Sequence, residues 1–109
     1  MPWTDYPQAA TDNAKRALAI REEEGTDCGT PVGWESARII ANREAVSEDR
    51  LPRIYSFLSR AKTYDQGSFK DEDGKQICGS IMYAAWGGDE MRRWAERTLE
   101  NMEEEKSLR

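Results

Sequence analysis

Histidine is missing from all 109 positions of this sequence. Its absence removes the usual nucleophile–base pairs for acyl transfer and the common zinc ligand sets. What remains for chemistry is two cysteines, scattered carboxylates, arginines and four tryptophans. Cys28 and Cys78 lie far apart and neither belongs to a CxxC pair, so two reduced thiols are expected in a cytosolic chain. A bond between them would close a long loop and stabilise the fold in the chain-entropy model, but cytosolic proteins seldom keep one. Asp71 with Asp73, and Glu22 with Glu24, stand in charge runs without the apolar surroundings that raise a carboxyl pKa for acid catalysis. Asp71-Glu72-Asp73-Gly74 fails as a calcium loop: with Gly74 at the loop's glycine, Phe69 takes the first ligand position and Ser80 that of the bidentate Glu. Gly87-Gly88 is not followed by Lys-Ser or Lys-Thr, so it is no phosphate loop. The expected reading is a non-enzyme with no catalytic residue, metal ligand or cofactor.

Binding chemistry is better represented. Arg50, Arg53, Arg60 and Lys62 line up after a short turn in the segment from Ser36 to Lys62, which resembles a helix-turn-helix corner with its recognition helix. The net charge of -5 argues against that reading and against attraction to anionic membranes. Trp34, Trp86 and Trp94 fall on apolar faces and read as core. Trp3 and Tyr6 sit around Pro2 and Pro7 outside the helical pattern, and read as an exposed N-terminal arm over 1-6. With Arg60 and Arg93 they form the candidate protein-binding set, because Trp, Tyr and Arg dominate interfaces.

These residues need elements to hold them, and helix signals dominate. The mean hydropathy is -0.89 and charged residues are 34% of the chain, as befits a single soluble domain with one core. No apolar run approaches the ~20 residues of a membrane span, and the start lacks a secretion signal's basic and apolar regions. Synthesis in the cytoplasm is the expectation.

Asp5 and Pro7 can open a first helix with a stripe of Ala10, Ala14, Ala17 and Leu18, ended by Gly25. Trp34, Ala37, Ile40 and Ala41 predict a second helix over about 33–43. Ser47 caps a third, with Val46 placed to staple onto Leu51, and Ile54, Tyr55, Leu58 and Ala61 continue its inner face. Periodicity vanishes from Lys62 to Gln76, a polar loop or small hairpin. A short helix over about 80–86 comes next, released by Gly87-Gly88, and then a long one capped by Asp89. Its inward stripe is Met91, Trp94, Ala95, Leu99 and Met102, with a frayed tail over 103-109. The fold class is mainly α, a compact bundle of four to five short helices. Its core is expected at Leu18, Trp34, Ile40, Leu51, Ile54, Leu58, Trp86, Trp94 and Leu99.

Four pieces occur in order: Asp12-Asn13-Ala14-Lys15-Arg16-Ala17-Leu18; Gly29-Thr30 with Val32-Gly33-Trp34; Ser56-Phe57-Leu58-Ser59-Arg60; and Ala84-Ala85-Trp86-Gly87-Gly88-Asp89 with Arg93-Trp94-Ala95. From about Asp12 to Leu99 the chain resembles a small domain of tailed bacteriophages. That domain is encoded among head-morphogenesis genes, alone or attached to sequences similar to prohead maturation proteases. The resemblance implies a virion-associated head module: a capsid decoration, cement or assembly protein made in the host cytoplasm. Its implied partner is a phage capsid or other head protein, and a homo-oligomer within the particle is compatible with it. No protease domain fits within the 109 residues, so maturation activity is not implied. The alternatives are a small phage DNA-binding regulator and an acidic inhibitor of a host defence protein that uses the Glu-rich ends as a decoy surface.

Overall fold

The computed structural model describes residues 2–107, and five α-helices account for most of them: α1 (Gln8–Glu24), α2 (Pro31–Ala41), α3 (Arg50–Ala61), α4 (Cys78–Ala85) and α5 (Gly88–Ser107). No sheet forms among the described residues; β-type pairing is confined to two isolated bridges. The chain is a compact all-α domain with α1 at its centre, packed against α2, α4 and α5, while α3 lies along α5. The centre is built from methyl groups. Ala10, Ala14 and Ala17 are fully buried on one face of α1, the i, i+4, i+7 spacing of a helical stripe.

Helix ends obey local chemistry, displaced by a few residues from the expected positions. α2 opens two residues earlier than its apolar period suggests. Thr30 accepts from the Gly33 N–H, and Pro31 takes the first-turn position where a missing N–H costs nothing. Ser47 does cap the third helix: its hydroxyl accepts from the Arg50 N–H and its carbonyl from the Leu51 N–H, one turn ahead of the regular helix. Val46 and Leu51, the two residues of the staple, are both fully buried. α1 starts behind Pro7 instead of at an Asp5 cap. α5 continues in helix to Ser107 instead of fraying from position 103. Glu, Met and Lys are good helix formers, and Lys106 places a cation in the last turn. Residues 108–109 of the expected tail lie outside the described residues.

The end of α2 is unusual. Arg43 takes a left-handed φ of 53°, and two bonds close the turn around it, Arg43 N–H to Ile40 O and Glu44 N–H to Ile39 O. This is a Schellman motif with arginine where glycine is customary. The side chain explains the choice: its guanidinium donates to the Thr11 hydroxyl and to the carbonyls of Thr4 and Tyr6, and lies 4.7 Å from the Tyr6 ring centroid.

That clasp overturns the expected N-terminal arm. Tyr6 is 1% exposed, its hydroxyl donates to the Glu44 carbonyl, and its ring meets Trp94 edge-on at 5.8 Å. Trp3 exchanges both backbone bonds with Val46 and packs edge-on against Trp94 at 6.4 Å. The aromatics read as exposed because they lie outside the helical pattern; their partners lie some 40 positions or more downstream. Met1 lies outside the described residues. The other core assignments fall inside, apart from Leu18 and Leu99, which are partly buried at the core's edge.

The cysteines are also corrected. Cys28, in the loop before α2, and Cys78, at the start of α4, are bonded, with Cα atoms 5.3 Å apart. Packing α4 onto α1 and α2 brings the two backbones within bonding range, which spacing along the chain could not reveal. The polar segment between α3 and α4 holds a one-turn 3-10 helix, Lys62–Tyr64, then a tight turn in which the Asp71 carboxylate accepts from the Asp73 and Lys75 N–H groups. A Lys70–Gln76 bridge makes it the expected small hairpin.

Deleting residues 2–6 lowers stability by at least ~3 kcal/mol in urea unfolding, the usual cost of removing a buried aromatic; an unchanged midpoint would show that the segment is dispensable. Replacing both cysteines by serine removes a cross-link across 50 positions, worth about 4 kcal/mol in the chain-entropy model. The same loss appears when the native protein is treated with reductant.

Candidate protein-binding face

Arg53, Phe57, Arg60 and Tyr64 succeed one another at i, i+4, i+7 and i+11, a second stripe that runs along α3 into the 3-10 turn after it, beside the buried one of Leu51, Ile54, Leu58 and Ala61. It borders an open groove between α3 and α4. Pro52, Arg53, Ser56, Phe57, Arg60 and Trp86 line one hollow of about 370 Å³. Phe57, Arg60, Ala61, Tyr64, Cys78, Gly79 and Met82 line the next, of about 350 Å³. Phe57 and Arg60 belong to both, so the hollows form one groove. Each lies at the low end of the ~300–1,000 Å³ typical of small-molecule pockets. Being open, they suit protruding side chains better than an enclosed ligand.

The groove's floor is closely packed. The Phe57 ring stacks on Trp86 with centroids 4.6 Å apart and planes 18° from parallel. Trp86 is pressed so closely under α2 that a Cβ on Gly33 would stand 3.1 Å from its Nε1 and 2.9 Å from Met82 Cε. This contact leaves the indole N–H with no acceptor among the described residues, a penalty of ~1–3 kcal/mol. Tyr64 is 68% exposed at the groove's end.

Structure disperses much of the predicted set. Of the protein-binding candidates, Tyr6 is internal, Trp3 is docked on Trp94, and Arg93 is exposed on α5 with no hydrogen bond or ion pair among the described residues. Only Arg60 lines the groove. Of the nucleic-acid candidates, Arg50 is occupied: its Nη1 donates to the buried Ser36 hydroxyl at 2.7 Å and ties α3 to α2. That bond joins two helices that each pack mainly against others. They are separated by eight residues containing the Trp3–Val46 bridge, so the expected short-turn corner is not formed. Arg53 and Arg60 remain on the groove, and Lys62 is exposed just beyond α3. Sequence reasoning missed Phe57, Tyr64 and Met82; the second helical stripe was the signal that could have found the first two.

A polar cluster on another side holds the α4–α5 corner. Gly87 and Gly88 take φ values of 109° and 72°, conformations that suit glycine. The Asn13 amide donates to Gly87 O and to Glu90 Oε1, both at 2.9 Å. The Tyr83 hydroxyl donates to the Asp89 carboxylate, with Arg92 beside it. Burial first, and then the hydrogen bond to Asp89, push the Tyr83 phenol up to about 12, with Arg92 pulling the other way. At neutral pH it is a protonated donor locking two helices. No group of three or more His, Cys, Asp or Glu among the described residues could hold a metal ion, and no helix is long and apolar enough to cross a membrane.

Comparison with protein-family models, curated proteins and solved structures finds no match to this chain.

The raised Tyr83 pKa makes a signed prediction. Because the folded value exceeds the unfolded value near 10, this group's contribution is complete below pH 10 and is lost as pH rises through about 12. Urea unfolding at pH 9 and pH 11.5 shows a fall in stability that Tyr83→Phe reduces; an identical fall in both proteins rejects the assignment.

Proposed function

We propose that this protein is a non-enzymatic bacteriophage head component, a decoration, cement or assembly module that binds another protein of the particle. The observation that carries the binding role is the groove between α3 and α4: a floor of stacked aromatic rings, an exposed tyrosine and arginines at its edge. This is the composition of interface hot spots. The phage assignment rests on the ordered motifs from Asp12 to Leu99. Two of those motifs supply groove residues, since Ser56, Phe57 and Arg60 of one line a wall and Trp86 of the other the floor. On this reading the protein is made in the host cytoplasm and resides in the virion. A DNA-binding role is less well supported, because Arg50 is engaged within the fold and the helical corner it needs is absent.

The test is quantitative mass spectrometry of purified particles. The protein is present at constant copy number per particle, and Tyr64→Asp, which places a charge at the groove's exposed end, lowers its occupancy about tenfold, equivalent to ~1.4 kcal/mol. Absence of the wild-type protein from both particles and assembly intermediates overturns the proposal.

A further inference from the structure

The groove sets two arginines, Arg53 and Arg60, unpaired among the described residues, beside apolar and aromatic side chains. Most arginines elsewhere are engaged, although Arg93 and Arg97, exposed on α5, have no side-chain partner among the described residues. Arg38 pairs with Glu35 and Glu44, Arg92 lies beside Asp89 and Tyr83, Arg43 clasps the N-terminal segment, and Arg50 holds Ser36. On the groove, no carboxylate among the described residues lies within ion-pair distance of Arg53 or Arg60. Arg53 makes no hydrogen bond there, and Arg60 uses only Nε, on the Ser56 carbonyl of its own helix at 3.2 Å. Carboxylates outnumber cations 21 to 16 in this chain, yet none is placed against these two guanidiniums. Both are fork-shaped donors made for bidentate carboxylate recognition.

We infer that the groove receives an acidic segment of a different protein, which seats a large apolar side chain against Phe57 and Met82 and sets flanking carboxylates on Arg53 and Arg60. The inference rests on the protein-binding reading above and names the chemistry of its partner. A second copy presenting the same face is excluded by charge, since two-fold pairing would bring arginine against arginine. The acidic end of α5 is a poor occupant as well. It offers Glu100, Glu103 and Glu104, but its apolar residues Leu99 and Met102 already pack on its own core. Nucleic acid fits less well, because a phosphate track needs a longer series of cations. One face of Phe57 is also covered by Trp86, leaving Tyr64 as the exposed ring for base stacking.

The experiment is selection from a random dodecapeptide library on the immobilised full-length protein, with counter-selection on the Arg53→Glu/Arg60→Glu variant. The expected winners carry net negative charge and at least one Leu, Ile, Met, Phe or Trp. A synthetic winner, tracked by fluorescence anisotropy, binds at least tenfold more weakly to the double variant and about fivefold more weakly to Tyr64→Ala. Its affinity falls as salt rises from 50 to 500 mM. Circular dichroism checks that both variants fold; if the double glutamate variant does not, Arg60→Gln replaces it in both arms. Winners without acidic bias, winners that do not distinguish the variants, or tighter binding of a dT20 oligonucleotide would each overturn the inference. Non-acidic winners together with particle-bound protein would sink the partner chemistry alone, whereas acidic winners with protein absent from particles would sink only the phage reading.

Discussion

Close approach to α1 is the constraint on which the rest depends. Three helices reach it because its inner face presents Ala10, Ala14 and Ala17, all fully buried. The alanines let α4 lie near enough to α2 for a cysteine bond and for Trp86 to pass under Gly33. The groove depends on this in turn: α4 must be held in one place for Met82 to line it and for Trp86, just after α4, to stack on Phe57 in its floor. A larger residue in the stripe would overpack the centre, at a typical ~1–3 kcal/mol, and would move the floor as well as strain the core.

The periphery is organised by polar closures at helix ends. Thr30 and Ser47 open α2 and α3 through their hydroxyls. Asn13 reaches from α1 to the Gly87 carbonyl, and Tyr83 from α4 to Asp89. Each bond satisfies backbone or side-chain groups that a short helix leaves open. Together with the Arg50–Ser36 contact they divide the arginines into two kinds. Most serve the fold; the two on the outer stripe of α3, and the exposed Arg93 and Arg97 on α5, do not.

Local signals were readable wherever they act over one or two turns. The alanine stripe, the Ser47 cap, the staple of Val46 and Leu51, the hairpin around Asp71 and the glycine break before α5 all come from neighbours a few positions apart, and all are present. Failures share a different cause. Trp3 meets Val46 and Trp94, Tyr6 meets Glu44, and Cys28 meets Cys78, and no periodicity encodes contacts so far apart in the chain. The candidate binding face fell between these cases. Its α3 half carries a helical period and could have been read, but the floor from α4 exists only once α1 has brought the helices together.

At Arg43 a single residue answers two demands. A backbone at φ 53° ordinarily invites glycine, and an engineer seeking thermostability would make that replacement to relieve the ~1–2 kcal/mol of left-handed strain. Here the same side chain holds Thr4, Tyr6 and Thr11. The substitution would relax one turn and unfasten the beginning of the chain, two effects of opposite sign at a single site. A melting temperature left almost unchanged would conceal both, while amide exchange of the segment around Trp3 would reveal the loss. Strain at this position is therefore the mark of a tether, and removing it exchanges a stiff backbone for a loose end.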